Sequence, residues 1–83
     1  MKITIKYFAS IREAIGQGSE ATSTNAATLA GLRDELIARG GAHAHALARG
    51  RSLRVAMNQL MAQESAELQE GAEVAFFPPV TGG

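Results

Sequence analysis

The sequence predicts an α+β fold: a mixed sheet of about five strands with one main helix packed across one face. Three observations carry that expectation. Residues 2–8 and 53–57 alternate apolar and polar side chains with a period of two, as half-buried strands do. Residues 29–37 carry an apolar stripe at helical spacing. At 83 residues, the chain hides only about 60% of its unfolded surface and has room for one modest core.

In the first strand, Ile3, Ile5 and Tyr7 share one face and Lys2, Thr4, Lys6 and Phe8 the other. Ser10 is expected to cap a short helical turn over residues 11–15, which Gly16 ends with Gly18 close behind. The Ser- and Thr-rich residues 19–24 predict a polar second strand. Thr28 is the expected N-cap of the main helix, whose stripe is Leu29, Leu32, Leu36 and Ile37, and Gly40-Gly41 stops it. Gly31 inside that helix costs roughly 1 kcal/mol against Ala, which points to close packing of helix on sheet. Residues 42–48 form an alanine-rich connector or short helix closed by Gly50. Leu53, Val55 and Met57 then alternate with Arg54 and Ala56 in a third strand, and residues 60–63 make a very short fourth. Glu70-Gly71 is a turn, and residues 72–77 form a last strand with Val74 and Phe76 on one face. A helix across one face of this sheet buries Ile3, Ile5, Leu32, Leu36, Val55, Val74 and Phe76 together. Neither repeat nor linker interrupts the chain.

Composition narrows the function. Eight Lys plus Arg balance eight Asp plus Glu, so the basic excess that neutralises nucleic-acid phosphates is missing. Aromatics are only 5% of residues, too few for a base-stacking platform. No apolar run approaches the roughly 20 residues that cross a bilayer, and the start lacks the continuous apolar stretch of a signal peptide. The expected location is therefore cytoplasmic, with neither nucleic acid nor membrane as partner. Zero cysteines exclude disulfides, a thiol nucleophile, a CxxC redox pair and a thiolate-held metal or cluster.

Common catalytic motifs are missing, including the phosphate loop, HExxH and GxSxG, and Gly16-Gln17-Gly18 reads as a turn. His43 and His45 stand two apart with no third ligand nearby, so an exposed connector is expected there and no metal site. Arg49, Arg51 and Arg54 form a basic cluster that is either a solvated loop and strand edge or a contact for an acidic partner. Strand parity sends Phe8 and Phe77 to the face opposite the core. If the first and last strands are neighbours, the two form an exposed aromatic pair suited to docking, unless a bulge after Tyr7 turns Phe8 inward. The ending Phe76-Phe77-Pro78-Pro79-Val80-Thr81-Gly82-Gly83 divides the chain into a domain, residues 1–77, and an extended tail, residues 78–83. Two prolines stop the strand and stiffen the exit, and Gly82 and Gly83 fit a channel too narrow for any Cβ. Extended, six residues reach at most about 20 Å, enough to enter a neighbouring active site; a frayed terminus is the plainer alternative.

At these residues the sequence resembles the small subunit of molybdopterin synthase, the MoaD family of ubiquitin-like sulfur carriers with a β-grasp fold. The resemblance spans Tyr7-Phe8-Ala9 with Ile11-Arg12-Glu13, the helix after Thr28, Val55-Ala56-Met57-Asn58-Gln59 and the run from Gly71 to Gly83. A bare Gly-Gly is shared with ubiquitin-like modifiers and the thiamin sulfur carrier, whereas Pro-Pro-Val-Thr-Gly-Gly is more specific. The Ala- and His-rich residues 42–48 and the arginines after them depart from the pattern. The resemblance implies that a MoeB-like enzyme uses ATP to adenylate the Gly83 carboxylate. A persulfide sulfur then displaces AMP and leaves a thiocarboxylate. The tail next enters a MoaE-like large subunit and delivers sulfur to cyclic pyranopterin monophosphate, forming the molybdopterin dithiolene in a heterotetramer. Gly83 is thus the expected reactive residue, Thr81 and Gly82 the threading segment, and Phe8, Phe77, Pro78 and Pro79 the docking surface. The chain itself is expected to bind no cofactor, with catalysis left to the large subunit. Other expectations are a carrier for thiazole or amino-acid sulfuration, a protein modifier and a non-covalent ubiquitin-like module.

Overall fold

A computed structural model describes residues 1–79. Strand β1 (Lys2–Tyr7) follows the alternation, burying Ile3, Ile5 and Tyr7. It pairs antiparallel with β2 (Ser19–Ser23) through Lys2↔Ser23 to Lys6↔Ser19. Between them lies helix α1 (Ala9–Ile15), ended at Gly16 in the left-handed conformation, where the Gly16 N–H bonds the Arg12 carbonyl. Ser10 does not cap this helix, contrary to the sequence expectation. β1 runs straight into the first turn: the Phe8 carbonyl accepts from the N–H groups of Ile11 at 3.1 Å and Arg12 at 3.3 Å, so Ser10 is already inside the helix.

Thr28 caps helix α2 (Leu29–Ala38) as its residue type predicts, its Oγ1 accepting from the Gly31 N–H at 3.1 Å. Leu29, Leu32 and Leu36 pack in one core with Ile3, Ile5, Tyr7, Val55, Val74 and Phe76. Burying each such side chain is worth about 1.5–3 kcal/mol, so these residues dominate the stability of a cysteine-free domain. Gly31 has a different reason from the expected helix–sheet contact. A Cβ there would sit 3.3 Å from the Ala26 Cβ and 3.5 Å from Thr28 Oγ1, so the crowding comes from the segment entering the helix.

The alanine-rich connector is helix α3 (Gly41–Ala46), reached through Gly40 and Gly41, both at positive φ. Two consecutive left-handed residues reverse the chain out of α2, a path that glycine adopts without steric penalty. Strand β3 (Arg54–Met57) then forms a hairpin with β4 (Leu60–Ala62). Asn58 and Gln59 make its two-residue turn, both at positive φ. Strand β5 (Glu73–Phe77) runs parallel to β1 on one side and antiparallel to β3 on the other. The sheet order is β2-β1-β5-β3-β4. A five-stranded mixed sheet with its last strand central and the main helix on one face is the β-grasp arrangement. Its other face carries no helix among the described residues.

Candidate functional site

The central position of β5 decides where the chain's most unusual segment leaves the fold. Phe8 N–H bonds the Phe76 carbonyl at 3.1 Å on one side, and Phe77 is in register with Arg54 on the other. Pro78 and Pro79 follow, and neither has an N–H with which to extend the ladder. The tail therefore departs from the middle of the sheet's end. Both prolines are half-buried. Val80, Thr81, Gly82 and Gly83, which include the expected reactive and threading residues, lie outside the described residues.

Beside this exit Phe8 and Phe77 meet on the open face, as strand parity predicts. Tyr7↔Phe76 is the last parallel pair of β1 and β5, so the next residues stand side by side and point away from the core. Their rings pack edge to face, centroids 6.3 Å apart at 85°. No bulge turns Phe8 inward; it is 46% exposed. Ala9, at φ 52, takes the reversal instead and lets Ile11 enter the core while Phe8 stays out.

Strand register extends the face. Lys6, Ala75, Ala56 and Met61 align across β1, β5, β3 and β4. Ala75 and Ala56 form a low floor, each only 8% exposed, while Met61 at the sheet edge is 57% exposed. At one end Lys6 pairs with Glu73 at 3.3 Å. At the other stands exposed Arg54, in register with Phe77. Leu60, 73% exposed, stands at the β3–β4 turn in register with Met57, on the opposite side of the sheet from Met61. Sequence reading passed over Met61 and Leu60, because a three-residue strand shows too little alternation to define a face.

The remaining candidates serve the fold. Arg49 is tied down rather than offered to a partner: it bonds Asp34, Glu64 and the Ala30 carbonyl, and those carboxylates raise its pKa. Arg51 Nη2 lies 3.0 Å from His45 Nε2. The basic cluster expected from Arg49, Arg51 and Arg54 is thus three separate environments. His43 also departs from the exposed connector expected for the histidines; only His45 is exposed. His43 is half-buried, edge-on to the Tyr7 ring at 6.0 Å. Its Nε2 lies 3.4 Å from Glu20 Oε2 and 3.3 Å from Arg39 Nη1. Burial raises the Glu20 carboxyl, but hydrogen bonds from Arg39, Tyr7 and His43, with the Arg39 charge, outweigh it and hold the group below its ordinary range. The Tyr7 phenol is pushed up by burial and by the charge and hydrogen bond of Glu20. Among the described residues no three His, Cys, Asp or Glu side chains gather to hold a metal. The candidate site is therefore the apolar face beside the tail exit.

The model of the ThiS family matches residues 5–83, from mid-β1 through the Gly-Gly ending. The chain belongs to the ThiS family. Among curated ThiS-like relatives, the molybdopterin synthase sulfur carrier subunit of Haemophilus influenzae is 38% identical over 81 residues, covering 98% of this chain and 99% of the relative. The Escherichia coli protein of the same name gives the same identity and coverage. The crystal structure of SAMP1 from Haloferax volcanii, a small archaeal modifier protein, superposes with a TM-score of 0.77 at 28% identity and covers 100% of both chains. ThiS-family membership and these relatives give the chain the general role of a sulfur carrier. No helix among the described residues is long and apolar enough to cross a membrane.

Proposed function

We propose that this chain is the sulfur-carrier subunit of a molybdopterin synthase and that the carboxyl group of Gly83 is the site of loading. The observation supporting this reading is the exit of Pro78-Pro79 from the central strand beside the Phe8–Phe77 pair, in a sequence that continues Val80-Thr81-Gly82-Gly83. A carboxylate is a poor electrophile, so loading needs activation. A separate adenylating enzyme joins the Gly83 carboxylate to AMP from ATP and releases pyrophosphate. Sulfide, or a persulfide whose S–S bond a second thiol then cleaves with formation of a disulfide on the donor, displaces AMP and leaves a thiocarboxylate that is ionised and nucleophilic at neutral pH.

The loaded tail next enters a large subunit, Gly82 and Thr81 threading its channel while Phe8, Phe77, Pro78 and Pro79 seat the domain. There the sulfur passes to cyclic pyranopterin monophosphate toward the molybdopterin dithiolene. General acid, base and substrate-binding groups belong to that partner, and this chain binds no cofactor. Two copies of each subunit form the working heterotetramer, and the site of action is the cytoplasm. Supplying the loaded chain, a large subunit and the precursor should yield molybdopterin, and deleting Gly83 should abolish the product while leaving the fold intact. Product formation by the deletion variant would refute the reading.

The likeness to a small archaeal modifier protein supports a second reading, in which the activated Gly83 is captured by a lysine amine. Incubation with the activating enzyme, ATP and candidate protein acceptors distinguishes the two. A stable isopeptide adduct favours the modifier, and sulfur transfer without an adduct favours the carrier.

A further inference from the structure

Beside the tail exit, the open face carries a cation that has no partner among the described residues. Of the six arginines, Arg33, Arg39 and Arg49 hydrogen-bond carboxylates or carbonyls of the domain, and Arg51 lies against His45. Arg12 belongs to α1 and lies over Gly18, just ahead of β2; a Cβ on Gly18 would be 3.2 Å from its Nε. Arg54 is exposed, has no hydrogen bond or ion pair among the described residues, and stands in register with Phe77. Lys6, the other cation flanking the aromatic pair, is neutralised by Glu73 at 3.3 Å. The face around the tail exit therefore presents two aromatic rings, an alanine floor and, in Arg54, a guanidinium with no counter-charge among the described residues.

We infer that Arg54 is a specificity-determining residue of the docking face, pairing with a carboxylate that the large subunit places beside the apolar socket for Phe8 and Phe77. The inference rests on the docking role proposed above and adds the chemistry of the socket's rim. Apolar contact is tolerant of partner identity, whereas a fixed charge next to it rejects partners that offer a cation or leave the guanidinium desolvated and unpaired. A guanidinium also favours a planar, two-oxygen contact that an ammonium cannot reproduce, so arginine and lysine are not equivalent here.

The test is the affinity of the full-length chain for the large subunit of the same organism, by calorimetry at low and high salt. It compares the natural protein with Arg54→Leu, Arg54→Lys, Arg54→Glu and Phe77→Ser, each checked for folding by circular dichroism. Arg54→Leu should weaken binding roughly tenfold and flatten its salt dependence, Arg54→Lys should restore only part, and Arg54→Glu should be weakest. Replacing the facing carboxylate of the large subunit by lysine should rescue Arg54→Glu and no other variant. Binding of Arg54→Leu within twofold of the natural chain with an unchanged salt slope overturns the inference, as does a loss seen only with the adenylating enzyme. If Phe77→Ser weakens binding while the Arg54 variants do not, the docking reading stands and the Arg54 inference alone fails. If neither weakens it, both fail.

Discussion

Replacing Arg33 by methionine should destabilise the domain by about 3–5 kcal/mol. Arg33 lies on the buried side of α2 with only 3% of its surface exposed. Its Nε donates to the Leu47 carbonyl at 2.8 Å, and Nη2 donates to the carbonyls of Ala48 at 2.6 Å and Arg51 at 3.0 Å. Nη1 meets Glu64 at 2.8 Å. Methionine keeps the length of the stem but strands three carbonyls at roughly 1 kcal/mol or more each, and removes a charge from Glu64. Since small domains have about 5–15 kcal/mol in all, the loss should be plain in urea unfolding followed by far-ultraviolet circular dichroism. Arg49→Met is the contrast. Its ion pairs with Asp34 and Glu64 are solvent-facing, so about 1 kcal/mol or less is expected. A loss below about 1 kcal/mol for Arg33→Met, or equal losses for the two variants, would refute the argument that the buried guanidinium holds residues 47–51 in place.

Glu20 supplies a pH test. Its folded carboxyl lies below its ordinary value of 4.5, so the stability it contributes is present above that pH and is lost as pH falls through the lower folded value. Glu20→Gln should flatten the acid limb of a stability–pH profile, and an unchanged limb would contradict this assignment. Tyr7 has the opposite sense: its folded value lies above 10.0, so its contribution is present below pH 10 and lost on further alkalinisation. As the only tyrosine, it should show phenolate absorbance only together with alkaline unfolding. At the β3–β4 turn, Gln59 holds φ 69, and Gln59→Gly should stabilise the domain by about 0.5–1 kcal/mol in the same urea assay. Phe8→Ser should weaken association with the large subunit more than it lowers stability, because the exposed edge-to-face pair itself is worth about 0.5–1.5 kcal/mol.

The open face was half legible in the sequence, for reasons visible in individual residues. Phe8 and Phe77 follow from parity alone, since side chains of opposite phase to Ile5 and Phe76 must point away from the core. That the two meet depends on β1 and β5 being neighbours, a non-local pairing that no local period encodes. Met61 was out of reach because β4 contributes three residues. Arg33 left a signal that could have been used: it occupies the fourth position after Leu29, within the apolar stripe, where a long cationic side chain is buried only if carbonyls or carboxylates receive it. Ser10 misled because its residue type favours a cap, while the Phe8 carbonyl had already started the helix. The alanine-rich sequence around His43 carries no apolar stripe and so gives no sign that the Tyr7 ring and Glu20 draw its imidazole inward. The tail was legible at the level of covalent chemistry, which needs no fold to state: two residues without N–H, then two without side chains.

The central claim is that sulfur is carried on the carboxyl group of Gly83, and the intact mass of the chain tests it most directly. After incubation with an adenylating enzyme, ATP and a sulfur donor, the mass should rise by the difference between one sulfur and one oxygen, with the change confined to the terminal peptide and absent from a Gly83 deletion. An unchanged mass under conditions that load an established carrier, or a sulfur found elsewhere in the chain, would contradict it.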